Sequence, residues 1–165
     1  MGDSSSPIIA LAGTETPVIL DIINAAAKRY EGIVPRDCYH EPYMSGDELV
    51  REMASMIFYG FVENREIVGV AGFQPVADVT LIRHAYVLPG YQRKGIGSRF
   101  MEHLKALTKT RSLLVGTWAA AYWAVDFYRK YGFNLLPDKD ELLARYWRIS
   151  PRQIETSVVL GMELE

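Results

Sequence analysis

Twelve consecutive residues, Val87-Leu88-Pro89-Gly90-Tyr91-Gln92-Arg93-Lys94-Gly95-Ile96-Gly97-Ser98, have the types and spacing of an anion-binding turn. An apolar, β-branched run ends at Pro89. Glycines and two basic residues follow. Then Ile96, Phe100, Leu104 and Leu107 recur at helical spacing. A strand therefore runs through a glycine turn into the first turn of a helix. The first N–H groups of a helix have no acceptor within it. The helix dipole makes that end positive. Glycine lets the backbone come close to a phosphate, and Arg93 and Lys94 add charge. No Gly-Lys-Ser/Thr closes the turn, so it is not a P-loop, and it is not G-x-G-x-x-G after a first strand. From these residues alone, an ordinary glycine-assisted turn reads equally well.

Elements must position this turn, and the chain supplies them in a regular order. Ile8 to Leu11 reads as a first strand. Thr16 and Pro17 read as the cap and first position of a helix whose apolar face is Val18, Ile19, Ile22, Ile23, Ala26 and Tyr30, stopped by Gly32. Residues 33–46 look irregular, punctuated by Pro35, Pro42 and Gly46. Ser45 or Asp47 caps a second helix through Met53. Ile57–Val62 and Ile67–Phe73 flank a turn and form a hairpin. A third strand runs from Asp78 to Val87, which makes an antiparallel meander. The helix after the glycine turn reaches about Lys109. Leu113–Trp118 is then a strand parallel to the one ending at Val87, because a whole helix joins them. A helix over Ala121–Tyr131 ends at Gly132, and Phe133–Leu136 reads as a short strand. A long connection over 137–156 holds a short helix near Asp140–Trp147. Val158, Leu160, Met162 and Leu164 alternate as a final strand. The fold class is α/β (α+β): a mixed, mostly antiparallel sheet of about six to seven strands flanked by helices.

Composition bounds the function. The 165 residues favour one domain over 8–165, behind a disordered tail over 1–7. The net charge of −2 excludes a general nucleic-acid binder, which would need a basic stripe. No apolar run approaches the ~20 residues of a membrane span. Met1-Gly2-Asp3-Ser4-Ser5-Ser6 fits a loose myristoylation pattern, but no basic run supplies the second signal that stable anchoring takes. A single cysteine, Cys38, forms no internal disulfide and reads as a small buried residue, which fits a cytoplasmic location.

A second segment decides between the readings of the turn. Ala124-Val125-Asp126-Phe127-Tyr128-Arg129-Lys130-Tyr131-Gly132-Phe133 follows Gln92-Arg93-Lys94-Gly95-Ile96-Gly97 by about thirty residues. Together, in this element order, they resemble the GCN5-related N-acetyltransferase (GNAT) family: a Q/R-x-x-G-x-G/A acetyl-CoA motif and an A-x-x-F-Y-x-x-x-G-F helix. The resemblance implies a sheet splayed where the cofactor enters. It implies acetyl-CoA as co-substrate, with no metal. Gln92, Arg93, Lys94, Gly95, Ile96, Gly97 and Ser98 would hold the pyrophosphate. The backbone of Ala85, Tyr86 and Val87 would pair with the pantetheine, and Val87 N–H would receive the charge on the thioester oxygen. Tyr128 would protonate the departing thiolate; its ordinary pKa of ~10 suits a donor.

The chain also departs from that pattern. Ala121 stands where many relatives carry a pantetheine-binding Asn, and Gly116 and Leu81 stand where relatives carry a base. His84 is the replacement by chemistry, since imidazole accepts a proton near neutrality; strand alternation leaves its side of the sheet open. Glu41 and His40 are second choices, and His103 reads as surface. Tyr39, Tyr43, Trp118 and Tyr122, with Trp123 and Trp147, could wall an acceptor pocket for a small amine or a peptide amine. Unused aromatic surface is compatible with a homodimer. A CoA-binding sensor or scaffold without turnover is the reading from another class.

Overall fold

Residues 7–164 are described by the structure, a computed structural model. Strand β1 (Ile8–Ala10) is followed by α1 (Thr16–Ala27) and α2 (Gly46–Met53). The meander is β2 (Ile57–Glu63), β3 (Glu66–Val76) and β4 (Val79–Val87). Then come α3 (Ile96–Leu107), β5 (Ser112–Trp118), α4 (Tyr122–Tyr131), β6 (Asn134–Leu135), α5 (Lys139–Tyr146), α6 (Pro151–Thr156) and β7 (Ser157–Glu163). One sheet has the order β1-β2-β3-β4-β5-β7-β6. Among the described residues only the β4–β5 pair is parallel; the other ladders are antiparallel. This is the mixed, mostly antiparallel sheet expected from the element order.

Some boundaries differ from the sequence expectations. The tail expected over 1–7 lies outside the described residues except for Pro7, whose carbonyl accepts from Val62 N–H at 2.8 Å. Glu15, not Thr16, is the residue preceding α1. Thr16 instead donates its hydroxyl to Gly13 O at 2.7 Å, an alternative that a short polar side chain at a helix start can always take. Ser45 does cap α2, accepting from Glu48 N–H at 3.2 Å. The connection over 137–156 holds a second helix, α6, which Ser150 caps through Gln153 N–H. Its six residues are too few to show a helical period.

Side-chain alternation divides the core between the two faces of the sheet. Ile82, Leu113, Val115 and Ala71 face α3 and α4, against Phe100, Leu104 and Tyr128. Val70 and Phe58 face α1 and α2, against Ile19, Ile22, Ile23 and Leu49. Leu81, Leu114 and Val159 bury Leu143 and Trp147 of the α5 region. Each fully buried aliphatic or aromatic side chain is worth roughly 1.5–3 kcal/mol of transfer free energy.

Strand β4 breaks its own alternation. Val70 pairs with Tyr86 and Gly72 with Arg83, so His84 and Ala85 together oppose Ala71. His84 sits at φ 53°, left-handed and uncommon for a side chain of this kind. The consequence is a switch of parity. Before the bulge Ile82 faces α3; after it Ala85 and Val87 do. Arg83 and His84, adjacent in sequence, point to the same side.

Candidate active site

The parallel ladder runs only from Val79–Ser112 to Ile82–Val115. Beyond it β4 bulges and β5 continues beside β7 instead. The two strands separate, and a cavity opens on each side of the gap.

The first cavity, about 550 Å³, lies between the end of β4 and the starts of α3 and α4. Its floor is Ala85, Tyr86 and Val87, and its wall is the glycine turn. Gly95, at φ 79°, precedes the helix in the left-handed region that glycine adopts without strain. The amides that open α3 therefore face the cavity without intrahelical acceptors. A Cβ on Gly97 would lie 3.1 Å from the Phe127 ring, so glycine lets α4 press this closely against the turn without the ring shifting. Gln92, Arg93, Ile96 and Ser98 line the cavity as well. Gln92 is also held back, donating its side-chain N–H to Val87 O at 3.1 Å. Lys94 is not part of the lining; its Nζ stands 5.1 Å above the Tyr91 ring. A flexible ammonium on a turn finds the nearest π face.

Tyr128 closes the floor of this cavity and is 7% exposed. Burial holds its phenol well above the ordinary tyrosine range. It thus stays protonated at neutral pH and can donate but not abstract. Two residues that sequence reading placed in the core, Ala26 and Tyr30 of the first helical face, also line the cavity, as does Arg29. The Arg29 guanidinium lies 4.0 Å over Trp123. Periodicity identified their helix but not what it faces.

The second cavity, about 100 Å³, lies on the other side of the gap. Arg83, His84, Tyr43, Trp118, Gly116 and Thr117 line it, with Trp147 and Gln153 from the 137–156 connection. Tyr30 and Tyr86 line both cavities and form the partition between them. Their hydroxyls approach at 3.4 Å, and Trp118 donates its indole N–H to Tyr43 at 2.8 Å. Burial pushes the Tyr30 phenol up to about 12, with the Tyr86 hydrogen bond as a partial offset. Burial, then Tyr30 and Tyr43 beside it, raises Tyr86 further. Every hydroxyl on the partition is a protonated donor.

His84 and Tyr128 therefore line different cavities. The bulge turned His84 away from α3, which alternation alone could not foretell. Its Nε2 faces Glu52 Oε2 at 2.7 Å, and Arg83 donates to Glu52 Oε1 at 2.9 Å. Glu52, on α2, was missed by sequence reading because α2 shows only an ordinary polar face. Tyr122, expected in an acceptor wall, is 73% exposed and lines neither cavity. As the first residue of α4 it projects away from the packed side. Tyr39 also stands outside both cavities, donating to Glu41 at 2.9 Å. That contact and the bond of His40 Nδ1 to Pro42 O at 2.8 Å keep both second-choice bases out of the cavity lining. His103 is not surface: it is half-buried, with its ring 5.2 Å from Tyr59 and Nε2 unpartnered, and burial lowers its pKa. Among the described residues no group of three or more His, Cys, Asp or Glu is arranged to hold a metal, and no helix is long and apolar enough to cross a membrane.

Residues 54–135, about half of the chain, match the GNAT acetyltransferase domain model. They contain the meander, the bulge, the glycine turn and α4. The chain belongs to the GNAT family of acetyltransferases. Solved GNAT structures agree in fold. A GNAT family acetyltransferase from Elizabethkingia anophelis with acetyl-CoA bound is 25% identical, with a TM-score of 0.67 over 95% of this chain and 97% of that one. The PaiA N-acetyltransferase from Thermoplasma acidophilum, in complex with coenzyme A, is 15% identical, with a TM-score of 0.72 over 95% and 98%. The ribosomal-protein-S18-alanine N-acetyltransferase from Escherichia coli is 20% identical, with a TM-score of 0.70 over 96% and 93%. No curated protein matches this GNAT chain in sequence.

Proposed function

We propose that this GNAT protein transfers an acetyl group from acetyl-CoA to a primary amine by direct attack in a ternary complex. The observation that carries the reading is the pair of cavities meeting at the splayed end of β4. The larger suits the donor: α3 amides for the pyrophosphate, and the edge of Ala85–Val87 for the pantetheine. The smaller suits the acceptor. Its ~100 Å³ exceeds the ~10–15 Å³ one water needs but is well short of a drug-sized site of ~300–1,000 Å³. It would take an amino group and a short stem, the rest of a small amine or peptide staying outside.

The proton chemistry divides in the same way. An ammonium has no lone pair, so the acceptor must lose a proton before attack, on the acceptor side. His84 lines that cavity, and an imidazole nitrogen is a proton acceptor. The Val87 N–H, on the donor side, would meet the charge growing on the carbonyl oxygen. Tyr128, also on the donor side, would protonate the departing CoA thiolate. The partition hydroxyls of Tyr30 and Tyr86 stand where the amine would pass between the strands.

The test is a thiol-release assay with acetyl-CoA against a panel of primary amines, in the wild type and Tyr128→Phe. At least one amine should be turned over. The variant should lose about 10²–10⁴-fold in kcat, the usual contribution of a general acid, while still binding CoA. Equal turnover by the two would remove Tyr128 from this role. Tight CoA binding with no thiol release toward any amine would instead favour a sensor or scaffold.

A further inference from the structure

His84 is held by a contact that neither the family motifs nor the cavities require. Its Nε2 and Glu52 Oε2 lie 2.7 Å apart, at 16% and 17% side-chain exposure. Both atoms are buried; they meet at ion-pair distance without the alignment of a well-formed hydrogen bond, and neither has another partner. The second oxygen of Glu52 is already taken by Arg83, which also reaches Gln74 Oε1 at 3.4 Å. The ring is stacked on Phe58, with centroids 6.1 Å apart and an 18° interplanar angle. His84 Nδ1 makes no hydrogen bond to the described residues. The imidazole is thus pinned at one nitrogen, packed on one face, and bare at the other nitrogen.

The arrangement is built from separate elements. The bulge turns His84 to the same side as Arg83 at the cost of a left-handed backbone. On α2, the fully buried Leu49 lies one turn before Glu52, so anchoring Leu49 aims Glu52 at the sheet. Burial favours the neutral carboxyl of Glu52, but the contact with His84, including its charge whenever the imidazole is protonated, and then Arg83 overcome it and hold its pKa below the ordinary value. An ionised carboxylate accepts hydrogen bonds and donates none. A neutral His84 facing it must therefore carry its proton on Nε2 and leave Nδ1 as the acceptor.

We propose that Glu52 is a positioning residue: by accepting the His84 Nε2–H it fixes the tautomer and angle of the imidazole and leaves Nδ1 bare toward the acceptor cavity. This rests on the reading of His84 as the base of acetyl transfer. In that step Nδ1 takes the amine proton, and the imidazolium that forms is stabilised by the carboxylate without passing it the second proton. Arg83 from β4, Gln74 from β3 and Phe58 from β2 complete the surroundings; among the described residues Glu52 is the one anion in contact with the ring.

Two measurements test it. The first is histidine ¹⁵N–¹H correlation NMR on the resting protein, at a pH where the imidazole is neutral. We expect a downfield, slowly exchanging Nε2–H for His84 in the wild type, lost in Glu52→Gln. Its absence from the wild type, or its persistence in the variant, overturns the proposal whatever the enzyme's activity. The second is a double-mutant cycle with Glu52→Gln and His84→Ala. Glu52→Gln should lower kcat about tenfold or more with KM for acetyl-CoA unchanged, and the double variant should be no slower than His84→Ala alone. Fully additive losses would mean Glu52 does not act through His84. A His84→Ala variant as fast as the wild type would reject the base itself, and the NMR result would still decide the placement by Glu52.

Discussion

At the scale of single residues, one backbone torsion decides which side of the sheet His84 takes. His84 at φ 53° sends its imidazole to the α1–α2 side, where it meets Glu52 and the smaller cavity. Tyr128 needs no such device, because helical spacing from Ala124 already aims it at the larger cavity. The two groups proposed to handle protons are thereby kept on opposite sides of the sheet. A base on the free enzyme sets the acidic limb of kcat/KM. We expect His84→Ala to lower kcat/KM by about 10²–10⁴-fold and to abolish that limb, read from a pH–rate profile. An acidic limb that survives unchanged would mean the proton goes elsewhere.

At the scale of elements, the bulge in β4 depends on the strand beside it. A Cβ on Gly72 would lie 2.8 Å from the Arg83 carbonyl oxygen and 3.0 Å from Met56 Sδ. The sulfur can move aside, but the backbone oxygen cannot without undoing the β3–β4 pairing. Gly72→Ala is expected to destabilise the fold by about 1–3 kcal/mol, as overpacking does, measured by urea unfolding. It should also lower acetyl transfer more than CoA binding, since the glycine turn lies beyond the disturbed pairs. Helix α2 is coupled to the same place through Glu52, although nothing in its own pattern announces it.

At the scale of the whole molecule, the sheet divides two cavities, and its ionised groups tie stability to pH. The Glu52 carboxyl is held below its ordinary 4.5, so folding favours its charged form. That stability is fully present above pH 4.5 and is lost as pH falls through the folded value. Glu52→Gln should therefore lose less stability than the wild type between about pH 5 and pH 3, as compared by thermal melts across pH; equal slopes would mean the carboxylate gains nothing from folding. The sequence by itself determined the element order, the parallel β4–β5 pair and the glycine turn that opens α3, because strand and helix periods, glycine positions and the Ala124–Phe133 spacing are local properties. It also named Tyr43 and Trp118 as candidate walls. Only the tertiary structure decided the rest. A bulge depends on the register with β3, so the side His84 takes was not written in β4. Exposure of Tyr122 depends on what packs beside α4, and Glu52 becomes a partner of His84 only when α2 folds over β4. Residues 32 positions apart in the chain carry no periodic signal for their meeting at 2.7 Å; long-range packing brings them there.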